Sequence, residues 1–171
     1  MCAAVLAAAH VASADVGPSE GVRIGVIPGA SLEFLNANSV TGGGGKLWAG
    51  YELLRGPWGL TPLGELGYYD FPRDPNGQLF FATAGFKVGY HFGEWIPSAT
   101  ASAGYARTWL ASTTPSITTS YVALSIGAEL SHQITDWLAI GIDFDYRPLV
   151  STSAPATKTI LDFGASATIS L

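Results

Sequence analysis

The 171-residue chain has one cysteine, Cys2, so no internal disulfide and no cysteine-based metal cluster is available to it. Charge is scarce, with 12% Asp, Glu, Lys and Arg together, and the formal net charge is −5. That balance argues against nucleic acid as a partner, because phosphate binding needs a basic surface. No apolar run reaches the length of a membrane helix. Histidine is limited to His10, His91 and His132, which leaves few bases for nucleophilic chemistry.

Glycine, small hydroxylated residues and aromatics are plentiful, and they are ordered with a period of two. In Leu79–Phe92, LFFATAGFKVGYHF, the even positions are Phe80, Ala82, Ala84, Phe86, Val88, Tyr90 and Phe92. The odd positions are Phe81, Thr83, Gly85, Lys87, Gly89 and His91. Successive side chains of a strand point to opposite faces, so this stretch is a β-strand with one apolar face and one small, polar and charged face. A single strand does not say whether the apolar face meets a core or lipid.

The same parity divides the rest of the chain into eight strands: 22–34, 46–54, 58–69, 79–92, 95–105, 120–130, 137–147 and 160–171. Each has about the 9–11 residues that a tilted strand needs to cross a bilayer. The polar faces carry Arg23, Glu33, Lys46, Glu52, Glu65, Lys87, Glu129, Asp143, Asp145, Arg147 and Asp162. Seven carboxylates against four cations leave that set at −3. On the apolar faces of seven strands there is no charge. Arg107 is the exception: strand five is expected to leave the membrane or shift parity there, and the arginine either contacts lipid phosphates or, the reading preferred, is solvated. Pro28 predicts a bulge or local break in strand one, since proline donates no ladder hydrogen bond.

Connections alternate in length. Arg55–Pro57, Gly93–Glu94 and Gln133–Asp136 are short; Asn36–Gly45, Asp70–Gln78, Leu110–Ile117 and Pro148–Thr157 are longer. A membrane barrel has tight turns at one end and longer loops at the other. Trp58, Phe92, Trp95 and Trp137 then gather at the turn end, and Phe34, Tyr68, Phe80, Trp109 and Tyr146 at the loop end. These are two aromatic girdles, where amphipathic rings meet the headgroups.

Residues 1–14, MCAAVLAAAHVASA, resemble the apolar core and cleavage end of a secretory signal peptide without its basic n-region. Ala12-Ser13-Ala14 supplies the small-x-small site, and cleavage would make Asp15 the mature N-terminus and remove Cys2. A buried N-terminal helix is the alternative. Residues 15–171 form the barrel domain.

The pattern over residues 15–171 resembles the small eight-stranded outer-membrane β-barrels, above all the OmpA-type transmembrane domain. The terminal FGASATISL is similar to the family's assembly signal, although Leu171 stands where the family prefers an aromatic residue. The resemblance implies an all-β, antiparallel up-and-down barrel in the outer membrane of a Gram-negative cell, with both termini periplasmic. Its implied partners are outer-membrane lipids and, during insertion, the barrel-assembly machinery. Enzymatic barrels of this size act on lipid A and would need His, Ser and an acid near the outer rim. Here His91 and His132 fall at the turn end and His10 in the leader, so no enzyme and no cofactor is expected.

Gly42–Gly45 with Lys46 carries part of a phosphate-loop pattern, but Leu47 stands where Ser or Thr is needed, and a flexible loop tip is the better reading. Asp143, Asp145 and Asp162 present enough oxygen ligands for a cation. Pairing with Arg147 and Lys46 is the reading preferred, and Lys87 is expected to pair with Glu65 or Glu52. Eight strands leave an interior only wide enough for side chains. The polar faces therefore form a charge-paired core and at most a narrow or gated pore. A structural or interfacial role follows, with a small-solute channel or a carrier of hydrophobic ligands as the alternative. A soluble lipocalin-like carrier is a third reading, which the scarcity of charge on the outer face disfavours.

Overall fold

The computed structural model describes residues 20–35, 38–72, 76–111, 117–152 and 157–171; the predicted leader lies outside them. Eight strands follow in order: β1 (Gly21–Leu35), β2 (Asn38–Arg55), β3 (Trp58–Phe71), β4 (Asn76–Tyr90), β5 (Trp95–Ala111), β6 (Ile117–Thr135), β7 (Leu138–Ser151) and β8 (Thr157–Ser170). Each pairs antiparallel with its sequence neighbour, and β8 closes on β1. Closure leaves no sheet edge.

Alternation of burial is strict along β3, exposed and buried by turns from Trp58 to Phe71. The exposed set is apolar on every strand: Val26, Leu47, Leu66, Phe86, Tyr105, Ile126, Ile142 and Phe163 are all more than 40% exposed. Such a belt far exceeds the apolar patches that soluble monomers tolerate, and it has the form of a lipid-facing surface. From Trp58 to Tyr68 the strand climbs ten residues, which at roughly 3.3 Å each and about 40° of tilt is close to 25 Å.

Following the ladder from Gly25 through Trp48, Glu65, Thr83, Gly104, Ala123 and Leu149 leads to Lys158. Thr159 beside it pairs with Phe34, so the circuit returns to β1 at the level of Leu35, ten residues beyond its start. This stagger tilts the strands, and it decides which lumen residues share a height.

Three tight turns lie at one end. Gly56 and Gly93 stand there at φ of 62° and 59°, in the left-handed region that glycine enters without a Cβ clash. The third turn, after β6, adds a register shift between Gln133 and Thr135.

Several expectations need correction. Gly42–Gly45 is no loop tip. The run lies inside β2 and pairs with Ser31–Pro28 on one side, while Gly43–Gly45 also pair with Asp70–Tyr68 on the other. A Cβ on Gly42 would lie 2.6 Å from the Phe71 ring, so the absence of side chains makes room for a neighbour's bulk. At Pro28, where a bulge or local break is expected, the break is what forms. Pairing with β8 is interrupted at Ile27 and Pro28, and the register is the same on both sides of the gap. Strands also run further toward the loop end than their apolar faces suggest, with β7 continuing through Pro148 to Ser151. Of the two alternatives at Arg107, a parity shift does not occur: the ladder of β5 with β6 continues in register to Leu110.

Large lumen side chains need vacancies opposite them. Gly67 lies beneath the ring of Phe81, where a Cβ would come within 2.1 Å of it. Gly67→Val is expected to cost about 1–3 kcal/mol through overpacking. Urea unfolding of the refolded barrel would measure it, and an unchanged midpoint would show that the ring simply moves aside.

Candidate functional site: the barrel lumen

The interior is stratified. At the turn end Arg23 of β1 reaches Glu52 of β2, with NH2 to Oε2 at 2.7 Å. The other oxygen of Glu52 lies 3.1 Å from Nε2 of His91. A cavity of about 50 Å³ opens here, lined by Arg23, Trp48, Glu52, Thr61, Lys87 and His91 among others. It has room for a few waters at roughly 10–15 Å³ each by this measure.

One layer deeper, Nζ of Lys87 lies 2.5 Å from Glu129 Oε2 and 4.4 Å from the centre of the Trp48 ring. Ser166 donates to the other oxygen of Glu129 at 2.8 Å. The indole beneath the ammonium adds a cation–π contact.

At mid-height Lys46 sits between two carboxylates of β7. Its ammonium is 2.6 Å from Asp143 and also bonded to Asp145. Glu65 has hydroxyl donors instead, Thr83 at 2.8 Å and Ser102 at 2.9 Å. Above them Asp145 and Asp162 face each other across the β7–β8 ladder. The fully buried Arg147 joins Asp162 at 2.5 Å, lies 3.6 Å from Asp145, and stacks 3.6 Å from the centre of the Phe81 ring.

The loop-end half of the lumen is apolar. Tyr69, Phe71, Leu79, Phe81, Ala106, Tyr121, Ala123, Leu149 and Ile160 form one buried cluster. Lys158 and Glu33 join at 2.9 Å beside it, with the ammonium 5.6 Å from the Tyr121 ring. Buried charge is tolerated only when paired and hydrogen-bonded, as Lys158 and Glu33 are here.

The lumen residues read from parity all face inward, but one pairing is different. Lys87 bonds Glu129, not Glu65 or Glu52. Across the β3–β4 ladder Lys87 faces Thr61, and Glu65 faces Thr83, four residues away. The ladder leads from Lys87 through Thr100 to Gly127, and Glu129 lies two residues from Gly127 on the same face of β6, within reach over β5. Lys158 was missed because strand eight was begun at Ile160. Two more residues of the same parity as Asp162 would have included it. Of the apolar cluster, Phe71, Ala106 and Leu149 likewise lie beyond the strand bounds read from parity, whereas Tyr69, Leu79, Phe81, Tyr121, Ala123 and Ile160 lie within them on the inward face.

The girdle residues at the turn end, Trp58, Phe92, Trp95 and Trp137, are all about half exposed or more. Trp58 meets Tyr90 edge-on at 4.9 Å, and Trp95 lies against His132 at 4.7 Å. Toward the loop end Tyr68 pairs with Phe80, and Phe80 with Arg107. Trp109 and Phe34 stand at the strand tips, whereas Tyr146 sits lower, beside Ile126 and Leu161. Tyr105, absent from the expected set, is outward and 44% exposed.

Among the described residues no group of three His, Cys, Asp or Glu side chains is placed to hold a metal ion. His91 bonds a carboxylate through Nε2, and its Nδ1 has no protein partner.

No family model matches the sequence, and no characterised protein matches it in sequence. The fold has well-described counterparts. Neisserial surface protein A superposes with a TM-score of 0.73 at 11% identity, over 88% of this chain and 97% of that one. Ail, the attachment invasion locus protein of Yersinia pestis, gives 0.62 at 17% identity, over 88% and 99%. The chain has the fold of the small eight-stranded outer-membrane barrels. The outer-membrane enzyme PagL shares this barrel too, with a TM-score of 0.54 at 12% identity over 87% and 99%, so the fold itself does not decide between enzyme and non-enzyme. What a small outer-membrane barrel does has to be argued from its own side chains.

Proposed function

We propose that this chain is an integral outer-membrane protein with a structural or interfacial role, its termini periplasmic and its lumen a charge-paired polar core closed to solutes. The observation that carries the proposal is the asymmetry of the interior. A small polar vestibule lies at the turn end, and a continuous apolar cluster from Tyr69 to Ile160 fills the loop end. An apolar belt on every strand supports membrane residence, and the short turns support a periplasmic turn end.

On this reading the partners are outer-membrane lipids and, during insertion, the barrel-assembly machinery. A net charge of −5 leaves no basic surface for nucleic acid. No catalytic role is assigned, since His91 bonds Glu52 at the turn end, far from the outer leaflet.

The refolded protein in a planar bilayer is expected to give no steady single-channel conductance. Phe81→Ala combined with Leu149→Ala, which removes the ring stacked on Arg147 and a second fully buried side chain of the cluster, is expected to produce one. Steady ion-selective conductance by the unmodified barrel would replace this reading with the small-solute channel. A dispersed monomer that needs no detergent would replace it with the soluble carrier.

A further inference from the structure

We propose that Arg107, on the outward face of β5, binds the phosphate of a lipid headgroup. The proposal rests on membrane residence and adds the chemistry of one lipid contact.

Among the described cations of the strands two are exposed, Arg55 at the turn end of β2 and Arg107 toward the loop end of β5. Arg23, Lys46, Lys87, Arg147 and Lys158 point into the lumen, each within ion-pair distance of a carboxylate. Arg107 is exposed on the other face, between buried Ala106 and Thr108. Among the described residues its one contact of note is the Trp109 ring, 5.5 Å from the guanidinium carbon. The nearest outward carboxylate along the ladder is Asp70, two strands away. Gln78 of β4 stands between, opposite both Asp70 and Trp109.

The position falls where the outer surface changes character. Below it lie Ala103 and Tyr105 on β5, Ala82 on β4, and Val122 and Leu124 on β6, with the Phe80 ring level with it on β4. Level with it or above come Asp70, Gln78, Ser120 and Thr118. That line is where the hydrocarbon ends and the headgroups begin.

The chemistry fits a phosphate. A guanidinium presents a planar fork that matches two phosphate oxygens. Trp109 holds one face of the fork by a cation–π contact, which limits the rotamers lost on binding. Ser120 lies opposite Arg107 in the ladder, and its hydroxyl meets that of Tyr105 at 2.8 Å. One of these two hydroxyl protons is used in that bond, and the other remains as a neutral donor for a further phosphate oxygen. Nonspecific attraction would not produce this preference, because the chain as a whole carries −5 and repels anionic lipid.

The test uses the refolded barrel in phosphatidylcholine vesicles with trace spin-labelled lipid, read by electron paramagnetic resonance. The motionally restricted fraction is compared for labelled phosphatidic acid and labelled phosphatidylcholine. The wild type is expected to favour phosphatidic acid by about threefold, a modest value because exposed charge pairs are weak and screened. Arg107→Gln is expected to remove the preference, and added salt to reduce it. Equal restriction of both lipids, or a preference that survives Arg107→Gln, would overturn the phosphate site while leaving membrane residence intact. A sample that restricts neither lipid would overturn both.

Discussion

Lys46→Met is expected to destabilise the barrel by about 3–5 kcal/mol, the range for breaking a buried ion pair from one side. Lys46 is 4% exposed, and its ammonium is shared by Asp143 and Asp145, with Glu65 contributing a further negative charge nearby. Methionine fills a similar volume, so the change tests charge and not packing. Two carboxylates would then face each other at mid-lumen with Arg147 as the nearest cation, already engaged by Asp162. Adding Asp143→Asn should recover part of the loss, because it removes one of the stranded charges. Equilibrium unfolding in urea, with refolding from lipid vesicles and tryptophan emission as the signal, gives the free energies. A loss below about 1 kcal/mol, which is what an exposed pair contributes, would mean that water reaches these groups and that the lumen is not the dry, paired core described above.

The second large effect concerns the opposite face. Ala84 is exposed on β4, level in the ladder with Gly64 and Ala103, and near the middle of the apolar belt. Arginine at the bilayer midplane costs a barrel roughly 2–4 kcal/mol, falling to about 0–1 near the interface. Ala84→Arg is therefore expected to impair folding into bilayers by that larger amount, and Ala84→Leu to be almost neutral. The native Arg107, at the edge of the belt, marks the inexpensive limit of the same gradient. Equal tolerance of arginine at Ala84 and at a rim position would place lipid elsewhere than on the Val26–Phe163 face. Folding yield into vesicles, scored as the shift in gel mobility between unboiled and boiled samples, provides the comparison alongside the unfolding free energy.

These two substitutions lie on faces that were separable before any coordinates. The alternation from Phe80 to Phe92 assigns Lys87 to one side and Ala84 to the other, because a strand has only two sides. The number of strands, their antiparallel order and the short turns at Gly56 and Gly93 follow from the same alternation and from its interruptions. Closure into a barrel was also legible, since eight strands with one continuous apolar face need lipid on that face and side chains on the other.

Strand ends were less visible. A lipid-facing pattern stops at the membrane boundary, whereas hydrogen bonding continues, so β2 reaches back through four glycines to Asn38 and β7 runs past Pro148. Lys158, Phe71, Ala106 and Leu149 fall beyond the bounds that the lipid-facing pattern sets. Inward apolar residues such as Tyr69 and Leu149 look out of place in a pattern whose inner face is polar until the barrel closes and packs them against one another.

Parity determined the inventory of the lumen; it could not determine the partners within it. Which face a side chain takes is a property of one strand, repeated every two residues. Which charge it meets depends on the stagger accumulated round the whole circuit, ten residues from Gly25 to the level of Leu35, and no local pattern encodes that sum. So the sequence by itself determined that Lys87 must find a carboxylate inside. Only the closed, tilted barrel decided that the carboxylate is Glu129 of β6, two strands from Lys87 and two residues off its ladder line, where tilt brings the two side chains to one height.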